Sequence, residues 1–255
     1  MIDLHLIGIG TGNPDHLTAA AVRAMNEADL ILLPRKGSAK SDLIDLRRSI
    51  CAQVLERPVR IVEFDMPVRA AIEDYGKAVD DWHDAIAAIW RQQIDLYLGD
   101  GGRLALLVWG DPSLYDSTLR IANRLKAARM DITVHVVPGI TSIQALTAAH
   151  AIPLNPLAGA VTITTARQLR AHGWPAGADT IVVVLDSGCA FETLDPAGIT
   201  IWWGAYLGMA QQALEQGPLA EAGPRIAELR AVLRARHGWI MDVYLMRKEC
   251  ADGGR

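Results

Sequence analysis

Short apolar runs alternate with stretches of helical periodicity through the first part of the chain. Leu4 to Ile9 reads as a buried strand ending in glycines. Thr18 is placed to cap a helix reaching about Ala28. Asp29 to Pro34 is a second strand, Asp42 to Leu55 a helix, and Val59 to Phe64 a third strand. From Ala70 to Leu96, Val79, Trp82, Ile86, Ile89 and Ile94 recur at helical spacing, which predicts a long amphipathic helix. His83 falls near that stripe and reads as structural or solvated, because no second ligand stands one turn away. Leu104 to Trp109 and Ile132 to Val137 are strands, followed by helices near Asp116 to Ala128 and Ile140 to Ala149. This repeating order predicts an α/β fold with a parallel or mostly parallel sheet and helices on both faces.

The rhythm breaks at Ile152-Pro153-Leu154-Asn155-Pro156, where two prolines favour extended backbone. Strand-like runs then crowd together: Gly159 to Thr165, Thr180 to Asp186, Ile199 to Gly204 and Trp239 to Met246. One long helix intervenes, with Ile226, Leu229 and Leu233 expected on its inner face. The pattern predicts two α/β domains, residues 1–152 and 153–255, without internal repeats or low-complexity segments.

Composition narrows the class. Hydrophobic residues make up 51% and charged residues 21% of 255, as in a globular protein. A net charge of −4 gives no reason to expect a nucleic-acid-binding face. Met1 to His5 carries an acid early and no basic run, so it does not read as a signal peptide. No apolar run approaches the roughly 18 residues that span a bilayer. Cys51, Cys189 and Cys250 are scattered and lack CxxC spacing, which argues against a disulfide framework or a zinc site. The expectation is a reduced, cytoplasmic protein with no metal, membrane or nucleic-acid partner.

Three loops carry candidate chemistry, each directly after a strand. Gly8-Ile9-Gly10-Thr11-Gly12-Asn13-Pro14 lets the backbone turn sharply and approach a ligand. It is not a dinucleotide fingerprint: Asn13 stands where that pattern needs glycine, and Pro14 follows at once. In Trp109-Gly110-Asp111-Pro112-Ser113-Leu114-Tyr115, Asp111 either accepts from a ligand amine or holds the loop as a turn-former. In Val137-Pro138-Gly139-Ile140-Thr141-Ser142, hydroxyls and first-turn amides converge, which suits a polar ligand group or ordinary helix capping. Each loop alone has a purely structural explanation. Their joint occurrence at the strand ends of one predicted sheet, where open α/β sheets bind ligands, is what points to a site.

In order and spacing, GIGTGNPDHLT (Gly8 to Thr18), GDPSLYDS (Gly110 to Ser117) and PGITS (Pro138 to Ser142) resemble the tetrapyrrole (corrin/porphyrin) methylase family. The resemblance runs over nearly the whole chain. LPRKGSAKSDL (Leu33 to Leu43), LDSGCAFETLDPAG (Leu185 to Gly198), WWGAYLG (Trp202 to Gly208) and ARHGWIMDVYLMR (Ala235 to Arg247) are similar to members that methylate a precorrin on the way to cobalamin and release acetate.

The resemblance implies two α/β domains of the class III methyltransferase type, with S-adenosylmethionine folded into a cleft between them and a tetrapyrrole as the small-molecule substrate. By matching position it implies cofactor contacts from Trp109, Gly110, Asp111, Leu114, Thr141, Ser142, Leu185, Tyr206, Leu207 and Gly208. Thr11 joins them, although relatives often carry proline there. Gly10, Gly12, Arg35, Lys36 and Tyr115 are the candidate substrate contacts, and Lys40 extends the basic cluster that would meet precorrin carboxylates. The resemblance also implies a homodimer.

Methyl transfer is an in-line displacement that depends chiefly on alignment, so no strong base is required. Release of acetate needs water at a carbonyl, where a general base helps. Asp15, His16, Tyr115 and Asp116 are near the site by sequence, and nothing in the sequence chooses among them. Other readings are a methylase of the same family acting at a different ring position, a same-fold enzyme acting on a macromolecule, or a module that binds S-adenosylmethionine without turnover. An NADP-dependent oxidoreductase fits poorly, given the failed glycine spacing and the lack of a Tyr-x-x-x-Lys pair.

Overall fold

A computed structural model describes residues 1–35, 41–70 and 74–248, and Lys36, Lys40 and Cys250 lie outside the described residues. The chain divides into two compact units, Met1–Thr141 and Ser142–Arg255.

The first unit contains β1 (Ile2–Gly8), α1 (Ala19–Glu27), β2 (Leu30–Arg35), α2 (Ser41–Val54), β3 (Arg60–Asp65), α3 (Tyr75–Tyr97), β4 (Gly102–Val108), α4 (Thr118–Ala127) and β5 (Ile132–Val137). Its sheet runs β3-β2-β4-β1-β5. Every pairing is parallel, so all five strands end at one edge. Alternation along the strands splits the core into two layers. Leu4, Leu6, Leu104 and Leu106 face Ile86, Trp90 and Ile94 of α3 and Ile121 and Leu125 of α4. Ile7, Ile31, Leu33 and Leu107 face Met25 of α1 and Ile50 of α2. Each fully buried aliphatic side chain contributes about 1.5–3 kcal/mol, which is what holds the strand ends in register.

Local signals set the helix starts. Thr18 Oγ1 accepts from the Ala21 amide at 3.0 Å. The α3 helix begins at Tyr75, later than the expected Ala70, because Asp74 caps it by accepting from the Lys77 amide at 2.9 Å. His83 is buried on α3, and burial lowers its pKa.

The second unit contains α5 (Ser142–His150), β6 (Val161–Thr165), α6 (Ala166–His172), β7 (Thr180–Val184), β8 (Ile199–Ala205), β9 (Ala213–Pro218), α7 (Leu219–His237) and β10 (Asp242–Lys248). Its sheet runs β6-β7-β10-β8-β9 and is mixed. The β6–β7 pair is parallel and the other three pairings are antiparallel. The division between the units precedes the expected 152/153, because α5 packs on β8 and β10. His150, in the last turn of α5, donates to the Trp203 carbonyl at 2.9 Å.

Two short elements have no counterpart in the sequence reading. The α6 helix spans only Ala166–His172, and β9 carries the weakly apolar ALEQGP. The inner face of α7 also differs: Ile226, Arg230 and Leu233 are buried, and Arg230 takes the inward place expected for Leu229. Among the described residues, no helix is long and apolar enough to cross a membrane.

Candidate cofactor site

The C-terminal edge of the first sheet gathers the three loops. Gly10 and Gly110 form an isolated antiparallel bridge, with Gly110 N donating to Gly10 O at 2.7 Å and Gly10 N to Gly110 O at 3.3 Å. Gly139 lies against both neighbours. A Cβ on Gly8 would meet Gly139 N at 2.6 Å and Gly110 O at 2.7 Å. Real Cβ contacts do not come that close, and backbone cannot rotate away as a side chain can, so the junction requires residues without side chains.

Asp111 fastens the junction. Its Oδ2 accepts from Gly139 N at 2.9 Å, and its Oδ1 accepts from Ser113 N at 2.8 Å and from the Ser113 hydroxyl. Burial raises its pKa, but the bonds from Ser113 and Gly139 outweigh that, so the carboxyl stays below its usual range. Of the two readings that the sequence left open, this geometry supplies the loop-holding one. Thr11 is buried and its Oγ1 bonds His16 Nδ1 at 2.8 Å, which closes the first loop on itself.

Gly110 has a free side. A Cβ there would meet only the Thr141 Cα, at 3.8 Å, and its φ of +67° is the left-handed conformation that glycine adopts cheaply. Trp109 is half-buried beneath the loop with the Arg47 guanidinium 5.7 Å from its ring centroid. Tyr115, 46% exposed, has φ +51°. Leu114 N donates to Asp111 O at 3.2 Å. Among the general-base candidates, His16 is tied to Thr11, and Asp116 Oδ1 accepts from the Thr118 amide at 2.7 Å.

Arg35 is placed less favourably for a substrate. Its guanidinium makes two bonds to Asp65, at 2.9 and 3.0 Å, and Glu63 lies 3.8 Å away. Its charge is therefore already answered within the protein.

In the second unit, β7 and β8 both pair antiparallel with β10, so they run in the same direction and end at one edge. The remaining candidates stand there. Leu185 follows β7 with φ +57° and is 66% exposed. Tyr206 follows β8 with φ +50°, and Gly208 has φ +80°. Non-glycine residues rarely adopt this conformation, and where they do the strain tends to mark functional turns. Tyr206 is nevertheless a buried side chain: its hydroxyl donates to the Trp239 carbonyl, and its ring meets Trp239 edge-on. Leu207 is also buried, so both side chains are enclosed by the protein.

A buried charge network supports these turns. Arg230 Nε donates to Asp242 Oδ2 at 2.8 Å, and its Nη2 donates to the Asp186 carbonyl at 2.8 Å, directly after Leu185. Trp203 Nε1 donates to the same Asp242 oxygen at 3.0 Å. The Asp186 carboxylate accepts from the amides of Gly188 and Ala190, from the Tyr244 hydroxyl and from Arg170. Burial raises the Asp186 pKa, but those donors together bring it below its usual range. The sequence reading missed Arg47, Arg230 and Asp242. The signal for Arg230 was present: it stands four residues after Ile226 and three before Leu233, inside the apolar stripe.

Residues 3–223 match the family described as Tetrapyrrole (Corrin/Porphyrin) Methylases. The chain is 47% identical over 246 residues to the "Precorrin-6A synthase [deacetylating]" of a Sinorhizobium species, covering 95% of this chain and 94% of that one. A solved cobalamin synthesis related protein (CobF) of Corynebacterium diphtheriae aligns with a TM-score of 0.82 and 38% identity, covering 97% of this chain and 99% of that one. The uroporphyrin-III C-methyl transferase of Thermus thermophilus, solved in complex with S-adenosyl homocysteine, shares the fold at a TM-score of 0.60 and 18% identity, covering 96% and 92%. The chain belongs to the tetrapyrrole (corrin/porphyrin) methylases.

Proposed function

We propose that the chain is a deacetylating precorrin-6A synthase: it methylates C-1 of precorrin-5 with S-adenosylmethionine and releases acetate, giving precorrin-6A. The observation that carries this reading is near-full-length similarity to a relative of that name, with all three family loops meeting at one strand edge. The reading includes the cytoplasmic homodimer that the family resemblance implies.

The residues fit the cofactor. Gly110 leaves an open side next to Thr141, the kind of space a bulky ligand group enters against the main chain. In the first unit we assign cofactor contacts to Thr11, Trp109, Gly110, Leu114 and Thr141, with Asp111 holding the loops. In the second we assign them to Ser142, Leu185 and the backbone of Tyr206, Leu207 and Gly208. When bound, S-adenosylmethionine supplies a methyl group that leaves its sulfur with both bonding electrons remaining on sulfur. The chain's own task is alignment, and a junction of backbone atoms without flexible side chains keeps the loops fixed for it.

Methylation at C-1 leaves a quaternary carbon beside the acetyl carbonyl. Water adds to that carbonyl, the carbon–carbon bond breaks with its electron pair staying in the conjugated macrocycle, and acetate leaves while both protons of the water are released, which balances the methyl gained as a cation equivalent. Neither Cys51 nor Cys189 suits the role of nucleophile: burial pushes both thiols up to about 11, where the reactive thiolate is scarce at neutral pH. The test is turnover of precorrin-5 and S-adenosylmethionine in ¹⁸O-labelled water. We expect one acetate per methyl transferred, carrying one solvent oxygen. Methylated tetrapyrrole that retains its acetyl group would contradict the deacetylating assignment.

A further inference from the structure

Arg230 is buried and Arg47 half-buried, and their charges are treated differently. Arg230 is buried against Asp242, and although burial opposes its charge, the bond to that carboxylate outweighs burial and raises its pKa. Arg47 has no carboxylate within ion-pair distance among the described residues. Its Nε donates to the Leu107 carbonyl at 3.2 Å, near the C-terminal end of β4, and its Nη1 to the Leu43 carbonyl at 3.1 Å. Its ring neighbour is Trp109, 5.7 Å away. Burial lowers its pKa to about 10, with Asp116 and Cys51 opposing from a distance. Arg129 and Arg236 stand in the open, where water answers the charge, and half-buried Arg247 bonds the Pro153 and Leu154 carbonyls and the Thr180 hydroxyl beside the Trp202 ring.

An uncompensated guanidinium in such a place is costly, and a carboxylate supplied from outside relieves that cost. The residue's position makes such delivery feasible. It is half-buried rather than sealed, it is anchored through Leu107 at the C-terminal end of β4, and it lies against the residue that begins the Gly110 loop. Two of its nitrogens are held by carbonyls, so the guanidinium is fixed in place before a ligand arrives, and its fork suits a carboxylate.

We propose that Arg47 receives a carboxylate of a bound ligand at the strand edge of the first unit. This rests on the functional reading above, which offers two sources of that group: the amino-acid end of the cofactor and the side chains of the tetrapyrrole.

Two measurements test it. In Arg47→Gln, removal of a charged hydrogen bond should raise one dissociation or Michaelis constant by about tenfold or more with kcat changed far less. If the cofactor is the source, S-adenosylhomocysteine binds more weakly while 5′-methylthioadenosine, which lacks the carboxylate, binds as to the parent. If the tetrapyrrole is the source, KM for precorrin-5 rises and S-adenosylhomocysteine affinity holds. The second measurement uses the parent protein and needs no variant to fold. Phenylglyoxal reacts with deprotonated guanidine, so Arg47 should be modified early, and S-adenosylhomocysteine or precorrin-5 should shield it, as read by peptide mass mapping. Arg47 left unmodified in the free protein, or modified equally with both ligands present, overturns the inference. A parent that transfers no methyl group to precorrin-5 overturns instead the functional reading on which it rests.

Discussion

At the edge of the first sheet, three backbones come together because Gly8 and Gly139 carry no side chain, and the Gly110 carbonyl lies against both. At the edge of the second sheet, Leu185 and Tyr206 keep their side chains and adopt the left-handed conformation all the same. A strained turn of this kind costs of order 1–3 kcal/mol and persists only where its surroundings fix it. In the first unit the fixing is steric and local: close backbone contact, with one carboxylate across two loops. In the second it is ionic and comes from a side chain outside the turns, through the Arg230 bonds to the Asp242 carboxylate and the Asp186 carbonyl. Turns at strand edges can therefore be held either by removing atoms or by burying charge, and the two devices should fail differently.

The largest expected effect is in the second unit. Arg230→Met leaves Asp242 buried without its cation, which should cost about 3–5 kcal/mol. Adding Asp242→Leu should recover most of that stability in urea unfolding, because an ion pair replaced as a whole by apolar groups is often neutral. Failure of the double variant to recover would mean that the network does more than balance its own charge.

In the first unit no such rescue exists. Gly139→Ala would push a methyl group against the Gly8 backbone, 2.8 Å from its Cα, and should cost about 3 kcal/mol by overpacking. A drop in the urea midpoint no larger than that of Arg230→Met, with S-adenosylhomocysteine binding lost, is the expected pattern. An alanine variant with parental stability and binding would break the steric half of the comparison.

The smallest effect is the one both regions share. Asp111 and Asp186 each have a folded pKa below the ordinary 3.8, held there by donated hydrogen bonds. A lowered carboxylate pKa stabilises the fold above the unfolded value and loses that contribution as pH falls through the folded one. Stability should therefore be level near neutrality and decline below about pH 4. Asp186→Asn should flatten part of that decline, and a variant with the parent's full acid slope would remove Asp186 from it.

The first unit was legible because its chemistry is written in contiguous motifs. Thr18 as a cap, the strand ends and the three loops each sit within a few residues of a glycine, proline or hydroxyl signal. The meeting of Gly8, Gly110 and Gly139 follows from parallel strands that all end at one edge, so order alone implied it. The second unit was only partly legible. Its β9 strand alternates weakly apolar residues with polar ones at a sheet edge, and α6 is too short to show a period. Arg230 was hidden because inward positions were assigned by hydrophobicity, and a paired cation breaks that rule. Arg35 shows the converse: expected in the loop after the second strand, it is the last residue of β2, where it bonds Asp65 and lies 3.8 Å from Glu63.

The open side of Gly110 is the space assigned to the cofactor. Calorimetric titration of S-adenosylhomocysteine into Gly110→Trp and Gly110→Ala tests this directly. Both variants bear the same cost of a side chain at φ +67°, and a single methyl would meet only the Thr141 Cα at 3.8 Å, so the difference between them reports filled space. We expect binding to Gly110→Ala to stay near that of the parent and binding to Gly110→Trp to weaken at least tenfold, about 1.4 kcal/mol. Equal affinity in a folded Gly110→Trp variant would contradict the assignment of the three-loop junction as the cofactor cradle.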